Sequence, residues 1–190
     1  MLIIGLSGYA ASGKSEAAKY LKEKYNFEIF EFSKIIEEEA IKLNLIQENL
    51  SLEEKKRKLS EVGKIIREKY GKEEIFALKI IEKIKANKIK KAVVDGIRSL
   101  NEIKAFKDEF NKNFYLIFIS ADAKIRYERR KLQDKNFNLS FEEFLERDKR
   151  DIEILGLDKL EEIADFIIEN NSSLEEFYKK LDLIISSISD

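Results

Sequence analysis

The chain has 190 residues, of which 38% are charged and 44% hydrophobic, and its formal net charge is −1. This composition is typical of one globular domain, and the absence of a basic excess argues against a nucleic-acid partner. Cysteine and histidine are both absent, which excludes disulfides, thiolate or imidazole metal sites and histidine-based catalysis. No apolar run approaches the roughly 20 residues of a membrane span, and the apolar start lacks the basic region of a signal peptide. We therefore expect a cytoplasmic protein that does not bind a membrane.

Short apolar runs alternate with longer amphipathic segments along the chain. The apolar runs predict strands at 2–6, 27–30, 92–94, 114–119 and 164–168. The amphipathic segments predict helices at 15–24, 34–88 with breaks near 47–51 and 71, 100–110, 124–132, 141–152 and 174–185. Strands that alternate with helices indicate a parallel, doubly wound α/β sheet. The fold class is thus predicted to be a five-stranded parallel sheet flanked by helices, and the helical block after the second strand is an insert.

The strongest motif is residues 8–15, GYAASGKS, which fits G-x-x-x-x-G-K-[ST] between a predicted strand and a predicted helix. Its glycines permit positive φ and close backbone approach, so that consecutive N–H groups can surround a phosphate. Lys14 can reach the β- and γ-phosphates, and the Ser15 hydroxyl can bind Mg²⁺. We interpret the segment as the phosphate-binding loop (P-loop) of an ATP-dependent protein. The predicted ATP-binding residues are Gly8, Ala10, Ala11, Ser12, Gly13, Lys14, Ser15 and Glu16.

A second motif lies at the end of the predicted third strand, where Ala92–Val94 is followed by Asp95, Gly96, Ile97 and Arg98. Ligands of open α/β sheets bind at the carboxyl ends of the strands, so Asp95 should face the P-loop and hold Mg²⁺ with Ser15. Arg98 can then reach a phosphate on an acceptor molecule. The alternative interpretation is a surface turn with an Asp–Arg pair.

Arginines mark the third motif. Arg126 and Arg130 are four residues apart on one predicted helix face, the polar segment 133–139 follows, and Arg147 and Arg150 lie on the next helix. Two arginine-bearing helices around a polar loop are typical of a lid, because phosphoryl transfer needs fixed positive charge around the migrating group. Lys14, Asp95, Arg126, Arg130 and Arg147 are therefore the predicted catalytic residues. A solvated helix face is the alternative for the arginines.

These three motifs together resemble the nucleoside monophosphate kinase superfamily. The chain more closely resembles an archaeal family of adenylate-kinase-related, dephospho-CoA-kinase-like proteins, through the run 93–102, VVDGIRSLNE. Further points of resemblance are Arg67–Gly71, Arg147–Asp148, Asn170–Asn171 and Leu174–Phe177. The resemblance implies a P-loop fold with a core at 1–33, 89–123 and 153–190, a helical acceptor-binding insert at 34–88 and a lid at 124–152. The insert and the lid are expected to close over ATP, which excludes water.

The acceptor side departs from the pattern of many relatives. These relatives carry an Asp and an Arg near the start of the acceptor-binding helix, where this chain has Lys34 and Glu37 after Ser33. Ser33, Arg67 and Arg98 are the predicted acceptor-binding residues, and a surface position is the alternative for Arg67. In adenylate kinases the corresponding strand end reads Asp-Gly-Phe-Pro-Arg, and residues 95–98 of this chain, DGIR, lack the proline.

The resemblance implies a kinase that moves the γ-phosphoryl group of ATP to a nucleoside monophosphate or related nucleotide with Mg²⁺, as a monomer or homodimer. The alternatives are a dephospho-CoA kinase and an adenylate-kinase-like ATPase that acts as an assembly factor. A regulatory GTPase would need Asn-Lys-x-Asp, and neither 87–90 nor 111–114 has the Asp.

Overall fold

The computed structural model describes residues 1–46, 52–134 and 137–188, with the backbone alone at a few helical positions such as Arg147. The strands are β1 Leu2–Gly8, β2 Glu28–Glu31, β3 Lys91–Asp95, β4 Phe114–Ser120 and β5 Phe166–Glu169. The helices are α1 Lys14–Tyr25, α2 Phe32–Lys42, α3 Leu52–Tyr70, α4 Ile75–Ala86, α5 Leu100–Phe110, α6 Ala123–Gln133, α7 Phe141–Leu155, α8 Leu157–Glu162 and α9 Leu174–Ile188.

The five strands form one parallel sheet in the order β2-β3-β1-β4-β5, which confirms the predicted fold class. The central strand β1 has apolar side chains on both faces, as expected for a sheet covered by helices on both sides. Ile3 packs into one buried cluster, and Ile4 and Leu6 pack into another. Alternation along a single strand therefore builds both halves of the core.

Different helices cover the two faces. On one face, α1 and α9 contribute Leu21 and Phe177 to the cluster that contains Ile4. On the other face, α5 contributes Phe106 to the cluster that contains Ile3. The helices of the predicted insert join that second cluster through Ile35, Ile66 and Ile80. In this structure the insert therefore packs on the core of the sheet.

The connections that leave β1 and β3 run along opposite faces of the sheet. The helix after β1 is α1, on one face, and the helix after β3 is α5, on the other. Neighbouring strands with this arrangement open a crevice at their carboxyl ends, which is where open α/β sheets bind ligands. Leu6 of β1 pairs with Asp95 of β3, so the P-loop and the Asp95 motif both border the crevice.

Helix boundaries differ in places from those predicted. Helix α7 continues to Leu155, and the short helix α8 follows from Leu157 after Gly156 adopts a left-handed conformation at φ 61°. The predicted break near Gly71 is present at φ 62°, whereas the break predicted at 47–51 lies outside the described residues. Within the described ranges, no helix is both long and apolar enough to span a membrane.

Candidate active site at the carboxyl ends of the strands

The two glycines of the P-loop are required by the surrounding backbone and side chains. Gly8 has φ 137°, and a Cβ there would lie 2.0 Å from the carbonyl oxygen of Ile119 on β4. Gly13 has φ 114°, and a Cβ there would lie 2.5 Å from Nδ2 of Asn170. Side chains rarely adopt these φ values, and both positions lack space for one. The loop therefore keeps a tight path between β1 and the first turn of α1.

Lys14 lies across the loop that precedes it. Its Nζ donates hydrogen bonds to the carbonyl oxygens of Gly8 at 2.9 Å and Tyr9 at 2.8 Å. Burial lowers the pKa of Lys14 to about 8, Asp95 opposes this shift, and the positive charges of Arg98 and Arg126 add to it. An anion in the loop would offset the unfavourable burial of this ammonium.

Ser15 and Asp95 form the contact between the first two motifs. The Ser15 hydroxyl donates a hydrogen bond to Oδ2 of Asp95 at 2.8 Å. Burial raises the pKa of Asp95, while the Ser15 hydrogen bond and the charge of Lys14 oppose the increase. A hydroxyl and a carboxylate are the hard oxygen ligands that Mg²⁺ prefers, and Mg²⁺ usually takes few protein ligands together with phosphates and water. The pair fits a magnesium ion bound to a nucleotide.

Arg98 and Ser33 are exposed near the same edge of the sheet. The side chain of Arg98 has no hydrogen-bond or ion-pair partner within the described part of the chain. Arg98 lies three residues after Asp95, and its positive charge lowers the pKa values of both Lys14 and Asp95. Ser33 lies two residues after Glu31, and Glu31 of β2 is the neighbour of Asp95 of β3 in the sheet register.

The side chain of Arg67 has hydrogen-bond and ring contacts with other residues of the protein. Its Nη2 donates to Oε1 of Glu102 at 3.3 Å, its Nε donates to the carbonyl oxygen of Glu73 at 3.0 Å, and its guanidinium lies 5.0 Å from the ring centroid of Phe76. These contacts place it beside the Asp95 motif, since the backbone N–H of Arg98 also donates to Glu102. Its contact with an acceptor stays a prediction.

Arg126 has a buried position. Its Nη1 and Nη2 donate to the two carboxylate oxygens of Asp148 at 2.6 Å each, and its Nε donates to the carbonyl oxygen of Ala121 at 2.8 Å. The side chain is 4% exposed. Its guanidinium also lies 5.0 Å from the ring centroid of Tyr9 in the P-loop. In this structure Arg126 of α6 therefore contacts both α7, through Asp148, and the P-loop, through Tyr9. A catalytic role for Arg126 stays a prediction.

The remaining predicted lid arginines are not brought to the P-loop by any contact of the described residues. Arg130 pairs at 3.4 Å with Asp134, the residue that follows the last residue of α6, and is partly exposed. The side chain of Arg147 lies outside what the structure describes, as do residues 135 and 136 of the predicted lid loop. The roles of both arginines therefore stay predictions.

Two residues that were not predicted as site residues support the P-loop from outside. Asn170 after β5 donates through Nδ2 to the carbonyl oxygen of Ser12 at 2.8 Å, and Arg129 donates to the same oxygen at 3.4 Å and to the Asn170 carbonyl oxygen at 2.9 Å. Ser12 is fully buried. In the sequence, Asn170 stands out as an amide after the last strand and as one point of resemblance to the archaeal family, and neither signal indicates a contact with the P-loop. Glu16, predicted to bind ATP, accepts a hydrogen bond from Tyr178 of α9 through its side chain.

The amino-acid sequence is similar to a known domain family and to archaeal proteins. A model of the AAA domain family matches residues 4–156. The chain is 34% identical to a UPF0200 protein of Sulfurisphaera tokodaii over 98% of this chain and 97% of that protein. It is 36% identical to a UPF0200/UPF0201 protein of Archaeoglobus fulgidus over 97% of this chain, but it spans 55% of that longer relative.

Solved structures share the fold at low sequence identity. TT1252 from Thermus thermophilus superposes with a TM-score of 0.64 at 18% identity over 98% of this chain and 97% of that one. Shikimate kinase from Bacteroides thetaiotaomicron gives 0.62 at 11% identity over 100% and 99% of the two chains. A gluconokinase from Sinorhizobium meliloti gives 0.55 at 14% identity over 99% and 95%. The fold is thus that of P-loop kinases. By its matched domain and its full-length archaeal relatives, the chain belongs to the AAA domain family and to the UPF0200 family.

Proposed function

We propose that this protein is an ATP-dependent phosphotransferase that moves the γ-phosphoryl group to a small acceptor carrying an anionic group. The observation that carries the proposal is the arrangement at the crevice. The Ser15–Asp95 hydrogen bond at 2.8 Å provides two ligands for Mg²⁺, and Arg98, three residues beyond Asp95, presents an unpaired guanidinium near them. A guanidinium beside the Mg²⁺ ligands can bind an anionic group on an acceptor molecule.

The donor half of the reaction would use the P-loop. Backbone N–H groups of residues 8–15 and the N-terminus of α1 would bind the phosphates of ATP. Lys14 would exchange its two carbonyl partners for phosphate oxygens. Ser15 and Asp95 would hold Mg²⁺, which neutralises charge on the β- and γ-phosphates when bound.

The acceptor half would use Arg98. An acceptor oxygen would form the new bond to the γ-phosphorus while the bond to the β,γ-bridging oxygen breaks, and ADP would leave with that electron pair. The ionised phosphate oxygen of a nucleoside monophosphate has no proton to lose, whereas a hydroxyl acceptor would release its proton to solvent. Arg98 would orient the acceptor by binding its anionic group, since a planar guanidinium matches phosphate and carboxylate geometry. We favour a nucleoside monophosphate as the acceptor, and dephospho-CoA meets the same requirement. The structural similarity to shikimate kinase and a gluconokinase supports a kinase without indicating the acceptor.

An ATPase that acts as an assembly factor is the second candidate, and one observation favours it. One of the two arginines predicted on the acceptor side already has a partner, because Arg67 pairs with Glu102 at 3.3 Å. Fewer free cations then remain for an acceptor. Within the kinase proposal 34–88 would be the acceptor-binding insert, and within either proposal 124–152 would be the lid that closes over ATP.

An acceptor screen tests the proposal. Purified protein with ATP and Mg²⁺ is offered nucleoside monophosphates, dephospho-CoA or buffer alone, and the products are analysed by mass spectrometry for a gain of one phosphate. We expect at least one acceptor to gain it. For that acceptor, Arg98→Ala should raise the KM strongly and leave the KM for ATP nearly unchanged. ATP consumption without any phosphorylated acceptor would favour the ATPase.

A further inference from the structure

Glu102 lies where two parts of the candidate site meet. It is the third residue of α5 and forms a capping box with Ser99. Its Oε2 accepts the backbone N–H of Arg98 at 2.8 Å and that of Ser99 at 3.2 Å. These bonds fix the turn between β3 and α5, from which the Arg98 side chain extends.

The second oxygen of the same carboxylate points to another element. Oε1 accepts a hydrogen bond from Nη2 of Arg67 at 3.3 Å. Arg67 lies near the end of α3 and is held against the ring of Phe76. Glu102 therefore connects the predicted acceptor-binding insert to the turn that carries Arg98. Its Oε1 binds Arg67 of the insert, and its Oε2 binds the backbone of the turn.

Helix capping alone does not account for this residue. A second capping box, Ser140 with Glu143 at the start of α7, is exposed and has no arginine partner among the described residues. Glu102 is instead 1% exposed, and burying a carboxylate is costly unless the charge is paired. Burial raises the pKa of Glu102, and the Arg98 N–H and Arg67 oppose the increase. An exposed capping box stabilises the start of a helix equally well, so capping does not require this burial.

We propose that Glu102 is a positioning residue for acceptor binding, which holds Arg98 in place and couples α3 to it. This inference rests on the proposed function. It also narrows the acceptor chemistry: because Glu102 neutralises Arg67, the acceptor's anionic group is bound by Arg98 without a second guanidinium from α3. One phosphate monoester or one carboxylate satisfies such a site.

Glu102→Gln tests the role because it retains the shape of the side chain and removes one acceptor. A carboxylate accepts on both oxygens, whereas an amide accepts on one and donates from the other. The variant can therefore serve the Arg98 turn or Arg67, but not both. Glu176→Gln is the matched control, since it makes the same change at the exposed third residue of α9, whose backbone N–H is capped by Ser173. Glu102→Asp, which keeps the charge on a shorter side chain, is the second variant if Glu102→Gln does not fold.

The measurement is the KM for the acceptor and for ATP, with the best acceptor from the screen. We expect Glu102→Gln to raise the acceptor KM about tenfold, as for loss of a charged hydrogen bond, with little change in the KM for ATP. Glu176→Gln should leave both constants unchanged. Glu102→Asp should give a smaller increase in the same constant. Unchanged acceptor KM in both Glu102 variants, or equal increases for ATP and acceptor, would overturn the positioning role while leaving the kinase intact. A wild-type protein that phosphorylates no acceptor would instead remove the proposed function, and the positioning role with it.

Discussion

The Ser15 hydroxyl donates a 2.8 Å hydrogen bond to the carboxylate of Asp95, although 80 positions separate the two residues in the chain. The contact exists because β1 and β3 are neighbours in the sheet and Leu6 pairs with Asp95. It brings together the two motifs from which a magnesium site was predicted.

Asp95→Asn should weaken the dependence of turnover on Mg²⁺ while leaving nucleotide binding without metal largely intact. The amide keeps the shape of the side chain but loses the charge that a hydrated Mg²⁺ prefers. We expect the Mg²⁺ concentration for half-maximal turnover to rise about 10- to 100-fold. Asp108→Asn, on the exposed surface of α5, is the control. Superimposable Mg²⁺ titrations for Asp95→Asn and the wild type would contradict the metal role.

ATP binding should take up a proton above about pH 8. Burial lowers the pKa of Lys14 to about 8 in the free protein, and bound phosphates favour the charged ammonium and raise this pKa again. ATP affinity should therefore be greatest below pH 8 and decrease as the pH rises above it. Calorimetry at about pH 8.5 in two buffers of different ionisation enthalpy measures the uptake. Lys14→Met, which has no amine to protonate, should lose it, and equal uptake by both proteins would contradict the assignment.

The Arg126–Asp148 pair should contribute strongly to the integrity of the fold. Removing one partner leaves a buried charge unpaired, so Asp148→Asn should lower the free energy of unfolding by about 3–5 kcal/mol. Arg126→Met combined with Asp148→Leu should recover much of this loss, because no buried charge then remains. Asp134→Asn, in the more exposed Arg130–Asp134 pair, should cost about 1 kcal/mol or less. Urea unfolding measures all four proteins, and similar losses for the two Asp→Asn variants would refute the difference.

Gly63→Ala should stabilise the protein. Gly63 lies inside α3, and a Cβ there would lie 3.5 Å from Nη1 of Arg67 and 3.8 Å from Cδ1 of Ile36, which are ordinary contacts. Alanine is favoured over glycine inside a helix by about 1 kcal/mol. Gly8→Ala should do the opposite, because its Cβ would meet the Ile119 carbonyl oxygen at 2.0 Å. Thermal unfolding should show an increase in Tm for the first variant and a decrease for the second.

Local patterns were enough to predict the sheet and the P-loop. Apolar runs of strand length recur in the sequence, and the fit of 8–15 to its motif depends on consecutive residues alone. Strand ends shifted by one or two residues, as with β5 at Phe166–Glu169 rather than 164–168. The helix α8 was not predicted because its six residues are too few for a periodic pattern.

Contacts between side chains that are distant in the sequence could not be predicted from such local patterns. The spacing of Arg126 and Arg130 placed them on one helix face, but Asp148, which binds Arg126, lies on the next helix. The capping box of Ser99 and Glu102 is visible in the sequence as S-x-x-E. The proposed positioning role of Glu102 depends on its hydrogen bond with Arg67, 35 residues away. That contact exists only once α3 packs beside the β3–α5 turn, which no local pattern shows.

The fate of the γ-phosphoryl group tests the central claim most directly. ATP labelled on the γ-phosphate is incubated with the protein, Mg²⁺ and the best acceptor from the screen, and label is counted on the acceptor and in free phosphate over several turnovers. The proposed function predicts that most label is found on the acceptor and that Lys14→Met abolishes transfer. Label released as free phosphate at the same rate with and without every acceptor tested would contradict it.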